Sequence, residues 1–197
     1  MGVWVLRALL VALTCCGAVL GQSPVPELGQ DGKDVVWVPT PEALTQKMLD
    51  LASVAAKDTV LDLGSGDGRL VIAAAQRGAR ARGVEYTASL VDLSRALAKK
   101  AGVAERATFE KADLFETDLA WATVITLFLG PELNAKLLPK LVNLKPGTRI
   151  VSNTHPIGDW PHDAQAESTD DVKSIYYRVA RLWVVPARVA GRWRWEG

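Results

Sequence analysis

The chain has 197 residues, 49% hydrophobic and 23% charged, which is long and apolar enough for one globular domain with a sizeable core. Its formal net charge of +1 provides no basic surplus for binding a phosphate backbone, so we expect no nucleic-acid partner. Both cysteines, Cys15 and Cys16, lie near the N-terminus. The remainder of the chain therefore contains no disulfide and no thiolate metal site.

Residues 1–21 differ in kind from the rest of the chain. Arg7 is their only charged residue, and the apolar run 8–20 is shorter than the roughly 20 residues of a membrane span. This pattern predicts a secretory signal peptide, and an uncleaved membrane anchor is the alternative. We therefore expect an exported or periplasmic protein, or one held at a membrane by this segment. Removing Arg7 leaves equal numbers of basic and acidic residues.

The segment after the leader contains several prolines and glycines, so residues 22–35 are predicted to be a linker and 36–197 the folded domain. Thr40 and Pro41 have the residue types favoured at the N-cap and first position of a helix. An apolar repeat beginning at Leu44 predicts that this helix packs one face on the core.

Predicted strands and helices then alternate along the chain. Strands are expected at 59–63, 79–85, 107–111, 123–129 and 148–152, and two more between 174 and 195. Helices are expected from the glycine turn to about 77, over 89–100, and from 131 to the breaker at 145–147. Alternating units predict a doubly wound α/β sheet with ligands at the carboxyl ends of its strands.

A glycine-rich turn follows the first of these strands. Gly64, Gly66 and Gly68 are spaced two apart, whereas a dinucleotide fingerprint would place its third glycine at position 69, which is Arg69. Asp62 precedes the turn, where a carboxylate suits a cofactor with a cationic end. S-adenosylmethionine (SAM) carries an ammonium and a sulfonium, so the turn favours SAM over NAD.

Acidic residues also follow the next two predicted strands. Glu85 is placed to accept hydrogen bonds from ribose hydroxyls, and Asp113 from an adenine amino group. Thr40 approaches from the N-terminal side, towards the cofactor's carboxylate end. The predicted cofactor-binding residues are Thr40, Asp62, Gly64, Ser65, Gly66, Glu85 and Asp113.

Together, residues 62–69, Glu85 and Asp113 resemble the motifs of class I, seven-β-strand SAM-dependent methyltransferases. The resemblance implies a single Rossmann-like domain with a mostly parallel seven-stranded sheet and an antiparallel C-terminal strand. Residues 38–41 and 129–134 resemble the small protein-lysine methyltransferases related to the mitochondrial enzymes for the adenine nucleotide translocase and ATP synthase subunit c. The implied reaction is in-line methyl transfer from SAM to an amine. Gly130 departs from that pattern, which usually has an aliphatic residue there.

Three residues are candidates for contact with the methyl acceptor. Glu132 and Asn134 follow the fourth predicted strand, although Glu132 equally suits the first turn of a helix. His155 follows the fifth strand and is interpreted as a base, a pocket wall or a structural residue. His155 and the nearby Asp159, His162 and Asp163 lie among prolines and glycines in a loop, so no metal site is predicted.

Two other functions remain open. A methyltransferase for a small molecule would have the same SAM site. A nicotinamide-dependent reductase is disfavoured by Arg69 and by the absence of any tyrosine followed four residues later by lysine. The basic and aromatic residues 188–195 fit an edge strand or a surface that contacts a partner or membrane.

Overall fold

The computed structural model describes residues 37–168 and 177–187. Its strands are β1 (Thr59–Leu63), β2 (Arg80–Glu85), β3 (Ala107–Lys111), β4 (Val124–Leu127), β5 (Arg149–Asn153), β6 (Ala164–Glu167) and β7 (Val179–Val184). Its helices are α1 (Glu42–Leu51), α2 (Arg69–Gln76), α3 (Ala88–Lys100) and α4 (Pro131–Leu141).

The seven strands form one sheet in the order β3-β2-β1-β4-β5-β7-β6. Neighbouring strands from β3 to β5 pair in parallel, and β7 pairs antiparallel with both β5 and β6. The predicted Rossmann-like fold with an antiparallel C-terminal strand is confirmed. The strand order reverses between β1 and β4, which makes their carboxyl ends the topological switch point where such sheets bind ligands.

Residues of β1 alternate between two buried layers. Val60 belongs to the cluster that includes Leu44 of α1 and Val71 of α2. Leu61 and Leu63 belong to the opposite cluster, with Leu137 and Leu141 of α4. Because both faces of the sheet are covered, the central strands are largely apolar, as parallel strands usually are. Asp62 is therefore a buried acid within an apolar strand.

Several predicted boundaries need correction. Pro41, not Thr40, precedes α1, and its carbonyl accepts the first helical hydrogen bond, from the Thr45 N–H. The fourth strand is shorter than expected because Phe128 and Leu129 leave the sheet. The strand Ala164–Glu167 was not predicted because its residues, Ala-Gln-Ala-Glu, have low β propensity and follow a loop rich in proline.

Some sequence predictions concern residues outside the described ranges. These are the signal peptide or anchor at 1–21, the linker at 22–35, the strand expected within 188–195 and the surface proposed for that tail. The domain limits of 36–197 likewise stay a prediction. Among the residues that the structure does describe, no helix combines the length and apolar character needed to cross a membrane.

Candidate active site

A pocket opens at the switch point between β1 and β4. It encloses about 930 Å³ when its open mouth is included. All seven predicted cofactor residues line it: Thr40, Asp62, Gly64, Ser65, Gly66, Glu85 and Asp113. Trp37, Arg69, Tyr86, Phe128 and Leu133 are among the lining residues that the sequence analysis did not assign. The structure therefore brings the predicted residues together, while their individual roles in binding stay predictions.

The glycine turn is built for close approach of other groups to its backbone. Gly64 and Gly66 have φ values of +74° and +53°, a region that side chains other than glycine rarely adopt. A Cβ on Gly64 would lie 2.8 Å from the Leu129 side chain, and one on Gly66 would lie 2.5 Å from the indole nitrogen of Trp37. Both glycines are needed for backbone conformation and for space.

Hydrogen bonds from two neighbouring elements fix the turn. The Gly64 and Ser65 N–H groups both donate to the Val84 carbonyl of β2, at 2.9 and 3.0 Å. The buried Ser94 hydroxyl of α3 lies within hydrogen-bond distance of two carbonyls, that of Gly66 at 2.9 Å and that of Leu90 in its own helix at 2.7 Å. Ser94 gave no sequence signal, because a serine within an amphipathic helix usually faces solvent or bonds its own helix. The turn is thereby held rigidly before any ligand arrives.

Glu85 accepts hydrogen bonds from two backbone N–H groups of residues that line the pocket. Its Oε2 accepts from the Gly66 N–H at 3.0 Å, and its Oε1 accepts from the Thr87 N–H at 2.8 Å. Each carboxylate oxygen can accept a further hydrogen bond, so both remain able to bind hydroxyl groups. The carboxylate is thus oriented by backbone while facing the pocket.

Asp62 is almost completely buried beneath the turn. The Thr126 hydroxyl of β4 donates to its Oδ1 at 2.5 Å. Burial raises the pKa of Asp62 to about 7; the hydrogen bond from Thr126 opposes this, and the nearby Glu85 and Asp67 carboxylates add to it. A cationic ligand would relieve this crowding of negative charge and favour the ionised form.

Two other predicted residues have specific local contacts. The Asp113 Oδ1 accepts from the Phe115 N–H at 2.9 Å, which orients its carboxylate at the pocket edge. The Ser65 hydroxyl is buried and has no hydrogen-bond partner in the structure. The hydroxyl packs against Gly83 of β2, where a Cβ would lie only 2.5 Å from the Ser65 oxygen. Ser65 therefore packs beneath the turn with its side chain directed at β2.

The segment before α1 forms part of the pocket wall. Arg69 holds this segment, because its Nη1 donates to the Thr40 carbonyl at 2.7 Å while its guanidinium pairs with Asp67 at 2.6 Å. The buried Asn153 of β5 donates from Nδ2 to the Thr40 hydroxyl at 3.3 Å. The sequence analysis noted Arg69 as the end of the 62–69 motif and as the absence of a third glycine. It did not predict the contact with Thr40, which lies 29 residues away.

The three acceptor-site candidates lie outside the pocket lining. Glu132 is exposed in the first turn of α4. Asn134 is fully buried, and its Nδ2 donates to the Ser152 hydroxyl and to the Pro156 carbonyl at 3.2 and 3.1 Å. Asn134 therefore connects α4 to β5 and to the chain that follows it. Its side chain is buried in these contacts and does not line the pocket, contrary to the expected contact with the acceptor.

His155 is half-buried beside the pocket-lining Phe128, with ring centroids 6.3 Å apart and planes inclined by 18°. Burial lowers its pKa; the Glu132 carboxylate opposes this effect and Arg181 reinforces it. Its imidazole is consequently neutral near neutral pH. Among residues 37–168 and 177–187, no three His, Cys, Asp or Glu side chains converge to hold a metal ion.

A negatively charged, glycine-lined pocket with an acid at each of three strand ends fits SAM. Comparison with known proteins decides the family. The model of the ANTKMT methyltransferase domain matches residues 62–164, more than half of the chain. The chain belongs to the ANTKMT methyltransferase family. It is a SAM-dependent methyltransferase, as predicted from the turn, and the predicted reductase alternative is wrong.

Individual relatives extend the match beyond the family model. A protein-lysine N-methyltransferase of Saccharolobus islandicus is 44% identical over 129 residues, covering 64% of this chain and 80% of that protein. The mouse adenine nucleotide translocase lysine N-methyltransferase is 39% identical over 116 residues. That match covers 57% of this chain, which spans about half (51%) of the mouse enzyme.

A solved structure also resembles this member of the ANTKMT family over most of its length. The crystal structure of an RNA methyltransferase from Salinibacter ruber, in complex with S-adenosyl-L-homocysteine, is 41% identical with a TM-score of 0.71. The similarity covers 79% of this chain and 98% of that one. The complex contains the demethylated form of the donor, in agreement with SAM as the methyl donor.

Proposed function

We propose that this chain is a protein-lysine N-methyltransferase. The observation that carries the proposal is the 44% identity to the archaeal protein-lysine N-methyltransferase, across four fifths of that protein. The chain's resemblance to the mitochondrial lysine methyltransferases at 38–41 and 129–134 supports the same acceptor.

The donor side of the proposed reaction rests on the pocket residues. We propose that Glu85 and Asp113 bind the ribose and adenine, and that Asp62 faces the cationic part of SAM. The rigid turn of Gly64, Ser65 and Gly66 would support the ligand from below. Thr40 would complete the site from the N-terminal segment. When bound, SAM supplies an electrophilic methyl carbon; the amine lone pair forms the new C–N bond as the C–S bond breaks, and its electrons remain on sulfur.

The acceptor side must deliver a neutral amine in line with that methyl group. Lysine has a reference pKa of about 10.4, so its ammonium must lose a proton, which bulk water accepts. The chain's own contribution is alignment and exclusion of water. We propose that His155 and the exposed Glu132 meet an arriving amine, and the neutral His155 adds no cation to repel it.

A transfer assay tests the acceptor class. The full-length protein and SAM carrying a labelled methyl group are added to an extract of cells that lack the gene. We expect protease-sensitive label that acid hydrolysis recovers as methyllysine. The Salinibacter relative is named an RNA methyltransferase, so RNA is the alternative acceptor to test. The proposal would be contradicted by label that is sensitive to ribonuclease, or by label confined to the small-molecule fraction.

We propose the cellular location from the N-terminal sequence alone. Residues 1–21 have the short apolar run of a signal peptide, and an anchor is the alternative. Cell fractionation and N-terminal sequencing separate the two outcomes: a secreted chain begins near Gln22, and an anchored chain keeps Met1 in the membrane fraction. An intact chain in the cytosolic fraction would contradict both.

A further inference from the structure

Three aromatic side chains cluster beside the SAM pocket. Phe128 follows β4, His155 follows β5 and Tyr177 precedes β7. Ring centroids lie 5.0 Å apart for Phe128 and Tyr177, 6.3 Å for Phe128 and His155, and 6.4 Å for His155 and Tyr177. These separations are typical of interacting aromatic rings. We call these three residues the aromatic wall.

The wall is continuous with the donor site and partly open to solvent. Phe128 is both a member of the wall and a residue that lines the SAM pocket. All three side chains are half-buried, whereas the core residues Leu127 and Ile150 of the adjoining strands are fully buried. A group lying against the wall would therefore reach the pocket from its β4 and β5 side.

A strained turn positions His155 within this wall. Thr154 has a φ of +60°, which is unfavourable for a β-branched residue. The His155 N–H donates to the Asn153 carbonyl and the Thr154 N–H to the Val179 carbonyl, both at 2.6 Å, and together they enforce the turn. Strain of this kind persists where the surrounding structure over-determines it, most often at functional sites.

The same turn is connected to the donor pocket. The Asn153 Oδ1 accepts from the Thr154 hydroxyl at 2.9 Å, while its Nδ2 donates to the pocket-lining Thr40. Asn153 thus fixes the wall relative to the SAM site through one buried side chain. A purely structural aromatic cluster would not require a strained turn or a connection to the pocket.

We propose that Phe128, His155 and Tyr177 line the channel that receives the side chain of the acceptor lysine. This inference rests on the proposed function and assigns the residues that recognise the acceptor. The four methylene groups of lysine can pack on aromatic faces, as lysine stems commonly cover apolar surface. Burial against the rings disfavours the ammonium form; the nearby Arg181 adds to this effect and the Glu132 carboxylate opposes it.

The two histidines of the chain allow a test that needs no known protein substrate. Nα-acetyl-lysine N-methylamide is titrated into the full-length protein with S-adenosylhomocysteine present, and the imidazole resonances are followed by NMR. We expect the His155 resonance to shift and that of His162, which lies against Trp183, to stay in place. Tyr177→Ala should abolish the shift. An unmoved His155 resonance, or an equal shift in Tyr177→Ala, would overturn the proposal.

Variants separate an aromatic surface from a base. We expect His155→Ala and Tyr177→Ala each to lower kcat/KM for the protein substrate about tenfold, the equivalent of one lost aromatic contact. His155→Phe and Tyr177→Phe should keep kcat/KM within about twofold of the native value. We expect all four variants to keep the native dissociation constant for SAM. His162→Ala is the matched control. Inactive His155→Phe would contradict a wall role and indicate proton transfer at this position.

The two proposals fail separately. Lysine methylation with an unmoved His155 resonance would leave the proposed function standing and remove the aromatic wall. Probe binding at His155 with no transfer of label to protein lysine would support the wall and contradict a protein acceptor.

Discussion

The Glu85 carboxylate accepts the Gly66 N–H at 3.0 Å, so the acid that ends β2 also tethers the glycine turn that follows β1. These residues lie 19 positions apart in the chain and on neighbouring parallel strands. One side chain therefore orients the turn and offers acceptor atoms to a ligand.

Replacing Glu85 should weaken SAM binding severely. Glu85→Ala removes an acceptor that each ribose hydroxyl can use, and hydrogen bonds to charged groups contribute about 1.5–3 kcal/mol, so we expect at least a 100-fold higher dissociation constant. Glu85→Gln keeps one acceptor and should lose about tenfold. Isothermal calorimetry gives both constants. Glu110→Ala, an exposed β3 residue facing Arg82, is the control and should bind normally; native affinity in Glu85→Ala would refute the ribose role.

SAM affinity should rise with pH through about 7. Since the pKa of the buried Asp62 is raised to about 7, a cationic ligand must displace a proton below that pH. Calorimetry at pH 6 in buffers of different ionisation enthalpy should detect proton release on binding. Asp62→Asn should bind weakly, with affinity nearly independent of pH. If the affinity of the native protein for SAM did not change with pH, contact between Asp62 and the cationic part of SAM would be contradicted.

The same residue should reduce the stability of the unliganded protein at high pH. A folded-state pKa above the reference value of 3.8 means that the folded chain retains a proton that the unfolded chain releases. The contribution of Asp62 to stability is full below about 4 and is lost as pH rises through about 7. Asp62→Asn should therefore raise Tm most at pH 8 and less at pH 5. Scanning calorimetry without SAM measures both.

Gly66→Ala and Gly102→Ala distinguish strain from steric conflict. Both glycines have positive φ, but a Cβ on Gly102 meets no atom within 4 Å, whereas one on Gly66 meets Trp37. Gly102→Ala should cost about 1–2 kcal/mol of stability for the left-handed conformation and leave SAM binding intact. Gly66→Ala should cost more and weaken SAM binding, because Trp37 must move. Equal effects of the two substitutions on binding would show that Trp37 is not part of the site.

Arg69→Lys should loosen the segment before α1. A lysine keeps the charge, but all its donors lie on one nitrogen, so it lacks the planar fork whose two ends contact the Thr40 carbonyl and Asp67. We expect faster amide exchange at Val38 and Thr40 and weaker SAM binding. Arg80→Ala, at the far end of β2, is the control. Unchanged exchange in Arg69→Lys would show that the segment is held by other contacts.

The sequence was sufficient to predict which residues line the pocket because the features concerned are local. The glycine turn, Asp62 and Glu85 each follow or end a strand, and parallel strands bring such positions to one edge of the sheet. The alternating pattern of strands and helices predicted the layered fold for the same reason.

The proposed acceptor side was harder to predict because its contacts are long-range. Phe128 and Tyr177 meet across 49 positions, and neither belongs to a motif with a known chemical role. Asn134 was expected at the acceptor because of its position after β4, but helix geometry turns it into the core, towards Ser152. Such orientations depend on how α4 and β5 pack, which periodicity alone does not specify.

The hydrogen bond from Asn153 to Thr40 joins residues 113 positions apart. The donor pocket is thus closed by a contact that forms only after β5 has been synthesised and has joined the sheet. A nascent or truncated chain that lacks β5 should therefore have no complete SAM site, and SAM should stabilise only the finished fold by mass action. Bound SAM would then protect the completed protein, but not an unfinished chain, against proteolysis.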